Sequence, residues 1–183
     1  MMAAASRPFQ RLLVREGQFP RGLFVLAAII VLAAGLRIYG LDWDSGYSNT
    51  PHPDERAILM KVGELGQPAP RSIVDLFNPD TSSWNPRWFP YGSFPLYLIS
   101  AVKQAYEFVA GRDLHDLRYV GRTISAVADT GTVVFIYLLG SKIFGRREGI
   151  LAGVLTAMAV LHIQLSHYFT VDTLATLFST AAM

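Results

Sequence analysis

Phe94-Pro95-Leu96-Tyr97-Leu98-Ile99-Ser100-Ala101-Val102-Lys103-Gln104-Ala105-Tyr106-Glu107-Phe108-Val109-Ala110 decides how this chain is threaded. Its apolar content suits a membrane span. Yet Ser100, Lys103, Gln104 and Glu107 fall on one helical face. One polar stripe beside one apolar stripe suits a helix lying in the water–lipid interface. Lys103 and Glu107 make an i,i+4 pair on the solvated face. The two readings give opposite topologies downstream. If the segment crosses the bilayer, the turn carrying Arg146 and Arg147 lies outside and Asp172 inside. If it lies flat, that basic turn is cytoplasmic, as the positive-inside rule prefers. Asp172 then emerges on the same face as the acid pair Asp54-Glu55. Charge rule and amphipathic face agree, so the flat arrangement is expected.

Composition supports a membrane setting. The chain has 183 residues, of which 51% are hydrophobic, with a mean hydropathy of +0.31. A soluble domain of this length is rarely so apolar. Net charge is +2, and the basic residues form no nucleic-acid stripe. With no cysteine, disulfides and thiolate metal sites are excluded.

Working outward, residues 1–21 carry Arg7, Arg11, Arg15 and Arg21 against Glu16 alone, which places the N-terminus in the cytoplasm. Residues 22–41 read as the first span, about the length a bilayer needs. Arg37 is expected to snorkel outward, with Tyr39 and Trp43 in an interfacial aromatic belt. A cleaved signal peptide would have a shorter apolar run and a small-residue cleavage site, which Arg37-Ile38-Tyr39-Gly40-Leu41-Asp42-Trp43-Asp44 does not supply. Residues 42–117 form a long extracytoplasmic loop rich in proline, with interfacial helices at about 53–65 and 94–110. Residues 118–144 read as the second span, 145–148 as a cytoplasmic turn and 149–169 as the third span. Residues 170–183 read as the start of a further span, as in the N-terminal part of a longer protein. The expected fold class is an all-α, polytopic transmembrane protein.

Two acidic positions stand at the outer face: Asp54-Glu55 in Thr50-Pro51-His52-Pro53-Asp54-Glu55-Arg56, and Asp172 in His167-Tyr168-Phe169-Thr170-Val171-Asp172. The order of motifs, with Tyr91-Gly92-Ser93-Phe94-Pro95-Leu96-Tyr97-Leu98, Arg122-Thr123-Ile124-Ser125-Ala126-Val127, Phe144-Gly145-Arg146-Arg147-Glu148-Gly149 and the two acid segments, resembles the N-terminal part of GT-C membrane glycosyltransferases. The branch it is most similar to is the protein O-mannosyltransferase-like one, which includes bacterial lipid A aminoarabinose transferases. The resemblance implies a polyprenyl-phosphate sugar donor and inverting transfer to a protein, lipid or polysaccharide acceptor at the extracytoplasmic face, in the plasma membrane. An acceptor hydroxyl needs a base within hydrogen-bond reach, and Asp54 takes that role. Asp172 and Glu55 orient the acceptor, the sugar or a cation. Arg122 meets the charge developing on the lipid phosphate. His52 and His167 flank the acids as substrate-binding candidates. Some members of the family hold a divalent cation here, and two or three acids supply only part of such a shell; nothing in the sequence fixes a metal.

Each residue also has a structural reading. Asp54 and Glu55 follow Pro53 in a helix's first turn, where the dipole favours acids. Asp172 follows a Thr170 cap. Arg118 and Arg122 suit snorkelling anchors. Asp129 lies within a span, where an ionisable group is a functional hypothesis and is usually paired; Arg122, two turns away on the same face, is its expected partner. His162 reads as an interior histidine. Trp84, Trp88, Phe89 and Tyr91 suit headgroup depth. Two rival functions remain: a transporter centred on Asp129, and a non-catalytic truncated membrane protein.

Overall fold

The computed structural model describes residues 19–47, 50–114 and 116–183. The expected cytoplasmic segment 1–21 lies almost wholly outside them. Among the described residues the chain is all helix: α1 (Phe19–Ile38), α2 (Pro53–Glu64), α3 (Ile73–Phe77), α4 (Phe94–Ala110), α5 (Leu117–Ile143), α6 (Arg146–Ala157), α7 (Val160–Ser166) and α8 (Val171–Ala181).

One of these helices, α5, is long and apolar enough by itself to cross a membrane. The pair α6 and α7 passes the same test only when taken together, bent by 54° at Met158-Ala159. The apolar part of α1, Gly22–Ile38, is shorter. Over the expected third span, residues 149–169, the structure has two helices, α6 and α7, that meet at that bend.

Helix α5 is the spine. Towards its start, Ala128 joins Ile58 and Val62 of α2, Leu96 and Ile99 of α4, and Phe169 and Leu174 in one core. Further along, Val133 and Tyr137 join Ile29 and Ala33 of α1 and Ala157 of α6 in a second. The α5–α6 hairpin turns at Gly145, whose φ of 117° only glycine adopts without strain. Its arms touch backbone to backbone. A Cβ on Gly149 would stand 2.6 Å from the Ser141 amide nitrogen and 2.7 Å from the Tyr137 carbonyl oxygen. Gly149 and Gly153 thus make the small-residue seam that lets membrane helices pack without a hydrophobic driving force.

Helix α4 starts at Pro95, buries Leu96, Ile99 and Ser100, and ends on a left-handed Gly111 whose N–H bonds the Glu107 carbonyl. Its polar stripe behaves differently from expectation. Ser100 is buried and receives the Gln104 amide. Glu107 pairs with Lys103 at 3.7 Å and also accepts the Leu114 N–H, tying off the following loop. Meanwhile Val102, Phe108 and Val109 stand exposed, Phe108 at 90%.

Candidate functional site

Where α1 ends, the chain makes a run of turns through Leu41 and Asp44. Helix α2 then opens with His52 as its cap and Pro53 in its first turn. These two segments converge on Arg122, near the start of α5. Arg122 is fully buried, and each of its five N–H groups has a partner. Nε donates to Glu55 Oε1 at 2.9 Å. Nη1 donates to Asp44 Oδ1 and to the Leu41 carbonyl, both at 2.7 Å. Nη2 donates to Asp44 Oδ2 at 2.8 Å and to Glu55 Oε2 at 2.9 Å. Two carboxylates enclosed with one guanidinium carry a residual negative charge; Arg118, bound chiefly to Asp116 at 2.8 Å, also approaches Asp44 at 3.6 Å. The Arg122 guanidinium, first by hydrogen bonding and then by charge, holds the Asp44 carboxyl below its usual range despite burial.

Glu55 reaches one segment further. Its Oε1 accepts the Phe169 N–H at 3.1 Å, and the Phe169 ring abuts Gly121, where a Cβ would come within 2.6 Å of it. The link leading into α8 is thereby pinned to α2 and α5 at one point. Aromatic contacts close the knot: Trp43 lies 5.9 Å from the Arg122 guanidinium and edge-on to Tyr168, which lies 4.5 Å from His52.

Beside this knot the acid segments meet. Asp54 is half-buried and Asp172 exposed. Asp54 faces the Tyr91 hydroxyl and holds that phenol above its ordinary value; desolvation and the charges of Asp54 and Asp172 push the same way. Trp88 and Tyr91, expected at headgroup depth, pack edge-to-face against the core around α2 and α4.

Other expected site residues are engaged elsewhere. All five Arg122 N–H groups bond acceptors of the chain itself. Both Glu55 oxygens likewise bond groups of the chain. His52 Nδ1 accepts the Glu55 N–H at 3.5 Å as the cap of α2. His167 straps the end of α7 to the exit of α1, its ring nitrogens 2.7 Å from the Ile163 carbonyl and 2.8 Å from that of Tyr39. A cleft of about 400 Å³ opens beside the C-terminal end of α2, lined by residues such as Lys61, Glu64 and Arg87; neither Asp54 nor Asp172 lines it. Among the described residues no group of three or more His, Asp or Glu side chains is placed to hold a metal ion. Asp54 and Asp172 alone would supply only part of a hard cation's oxygen shell.

A second knot lies two turns further along α5. Asp129 pairs with Arg37 at 2.6 Å and with His162 Nδ1 at 2.6 Å, not with Arg122. Arg37 is fully buried, so its expected outward snorkelling is also corrected. Its other N–H groups bond the carbonyls of Ala33, Thr156 and Ala157. The last two lie at the break between α6 and α7, where helical carbonyls lose their i+4 partners. Arg37 therefore caps a broken helix from another one.

Comparison with known proteins agrees with this architecture. Residues 114–183 match the family described as dolichyl-phosphate-mannose-protein mannosyltransferase. The resemblance read from the ordered motifs is thus carried, for α5 to α8, by an independent match to a family of membrane glycosyltransferases. The segment includes Arg122, Asp129 and Asp172; Asp54 and Glu55 precede it. No curated protein and no solved structure matches the chain.

Proposed function

We propose that the chain is the N-terminal part of a polytopic glycosyltransferase that moves a sugar from a polyprenyl phosphate to an acceptor at the outer membrane face. The reading is supported above all by one finding: residues 114–183, which carry Arg122 and Asp172, match the dolichyl-phosphate-mannose-protein mannosyltransferase family. In this reading α1, α5 and the bent α6–α7 pair cross the bilayer and α8 begins a further crossing. Helix α4 lies flat with Phe108 and Val109 in lipid. The N-terminus and the Arg146-Arg147 turn are cytoplasmic, the membrane is the plasma membrane, and the acids are extracytoplasmic.

Asp54 is half-buried beside a hydroxyl donor and is the acid free to take a proton. It removes the proton of an acceptor hydroxyl. The oxygen forms the new bond to the anomeric carbon as the bond to the phosphate oxygen breaks. The lipid phosphate leaves with the electron pair, and the anomeric centre inverts. Asp172 orients the acceptor or the sugar. The acceptor is a protein, lipid or polysaccharide.

The test uses membranes containing the full-length protein and radiolabelled polyprenyl-phosphate sugars. Wild type transfers label and Asp54→Asn does not. Equal labelling in both would remove Asp54 as the base. Topology has its own test, since the chain contains no cysteine. Single cysteines at 146 and 172 should label from opposite sides, 172 from outside.

A further inference from the structure

We propose that Asp44, a residue the reaction itself does not touch, is a positioning residue for the acid pair. The inference rests on Asp54 and Asp172 being the reacting acids. Asp44 occupies one N–H on each terminal nitrogen of Arg122. The remaining donors go to Glu55 and to the Leu41 carbonyl. With five donors and five acceptor contacts, the guanidinium has one orientation. That orientation fixes both oxygens of Glu55, and Glu55 Oε1 fixes the Phe169 amide.

The consequence follows from chain geometry. Asp54 precedes Glu55 directly on α2, and Asp172 lies three residues beyond Phe169, in the first turn of α8. No other described contact joins these two stretches through a charged side chain. Apolar packing of Phe169 and Leu174 against Ile58 and Val62 holds the two stretches together, and Glu55 adds their charged tie, whose geometry depends on Arg122, which Asp44 locks. Asp44→Asn keeps one acceptor oxygen but turns an amide NH2 towards the other guanidinium N–H, which is left without an acceptor in an enclosed site. That N–H draws on Glu55 instead, and the Phe169 tether competes for the same oxygens. Small misplacements of a catalytic group cost on the order of 100-fold in rate, so a clamp remote from the chemistry controls turnover.

Two measurements on the full-length protein test this. In the first, Asp54→Cys and Asp172→Cys are introduced together and joined by a short bis-maleimide, in protein with and without Asp44→Asn. The 183 residues contain no cysteine, and any cysteine elsewhere in the full-length protein is first replaced by serine. Asp44→Asn should lower cross-linking severalfold, and Asp44→Glu, which keeps the charge, should restore most of it. In the second, with both acids native, Asp44→Asn should lower kcat about 10- to 100-fold while donor KM stays within about twofold. The acid limb of the pH–rate profile should persist, because the base is still present. Unchanged cross-linking or unchanged kcat in Asp44→Asn overturns the proposal. If Asp44→Asn does not fold, Asp44→Ser, which keeps one oxygen and no charge, takes its place: it should cross-link severalfold less than wild type, and wild-type yield would overturn the clamp. Activity surviving in Asp54→Asn would instead sink the assignment of the base, while the cross-link, which needs no reaction, still judges the clamp.

Discussion

Replacing Arg122 separates its charge from its shape. Arg122→Lys keeps the charge and removes the planar fork. The native side chain makes five hydrogen bonds, four to carboxylate oxygens and one to the Leu41 carbonyl. An ammonium offers three donors from a single point, so at least two of the five go unmade. Hydrogen bonds to charged groups contribute about 1.5–3 kcal/mol each, which sets the expected loss near 3 kcal/mol at the lower end. Arg122→Met removes the charge as well and leaves the carboxylates of Asp44 and Glu55 enclosed together. Breaking a buried pair by removing one partner costs about 3–5 kcal/mol. The two variants differ more sharply in pH dependence. In the wild type, Arg122 holds Asp44 below its usual range. A depressed folded-state pKa contributes stability above the ordinary carboxylate range and loses it as pH falls through the lowered value. In Arg122→Met the two acids repel, so their folded-state values rise. That contribution is present below the ordinary range and is lost as pH rises. Between about pH 5 and pH 3, the wild type should therefore weaken while Arg122→Met gains relative to it. Unfolding in nanodiscs, followed across that interval, reads both effects. An Arg122→Lys protein within about 0.5 kcal/mol of wild type, or the same sign of pH slope in wild type and Arg122→Met, would refute the reasoning.

Three further outcomes are expected. Gly149→Val should force the α5–α6 hairpin apart, because the added Cβ meets backbone atoms at 2.6–2.7 Å; overpacking of this kind costs about 1–3 kcal/mol, readable as a lower unfolding midpoint. Asp54→Asn should bring the Tyr91 phenol back down towards its ordinary value, and Asp172→Asn should do so less, in a tyrosine-resolved NMR titration; no movement in either would mean that the acids do not face that hydroxyl. Asp129→Asn should destabilise by about 3–5 kcal/mol, because Arg37 would remain buried without its counter-charge, and Arg37→Met with Asp129→Leu should recover much of that loss.

The large features could be read from residue order because they depend on local periodicity. Helix α4 follows from an apolar stripe between Pro95 and Gly111. The long uninterrupted α5 follows from a run with no proline between Leu117 and Ile143. The break between α6 and α7 was not legible. Met158-Ala159 contains neither proline nor glycine, and the break is held by Arg37, a residue more than a hundred positions away. The site divided along the same line. The convergence of the Asp54-Glu55 segment on the approach to Asp172 could be anticipated from the order of motifs, and the Glu55–Phe169 hydrogen bond carries it. Asp44 went unnoticed, because an acid in a polar turn after a span looks like any solvated acid. Its burial becomes visible only once α2 and α5 close over it. The signal that was available is the pairing of Asp42 and Asp44 around Trp43 at the outer end of α1, opposite an outer arginine on another span.

Charge balance explains why sequence spacing misassigned the partners on α5. Arg122 and Asp129 are seven residues apart and of opposite sign, so a shared face made them look like a pair. Two turns of helix separate them by about 10 Å along the axis, too far for a direct contact. Ions withdrawn from water need neutralisation where they sit. Each therefore recruits its own set: Arg122 takes Asp44 and Glu55, with Arg118 near by, and Asp129 takes Arg37 and His162. The outcome is two self-contained ties at different depths along one helix. The deeper one fastens α1 to the carbonyls freed at the bend between α6 and α7. The outer one gathers the start of α2 and the approach to α8 around Glu55. An intramembrane acid normally invites a transport reading, and Asp129 supplied the motive for one. Its charge is already matched by an arginine that also caps a helix end, and a tie of that kind accounts for the residue without any ion moving through it.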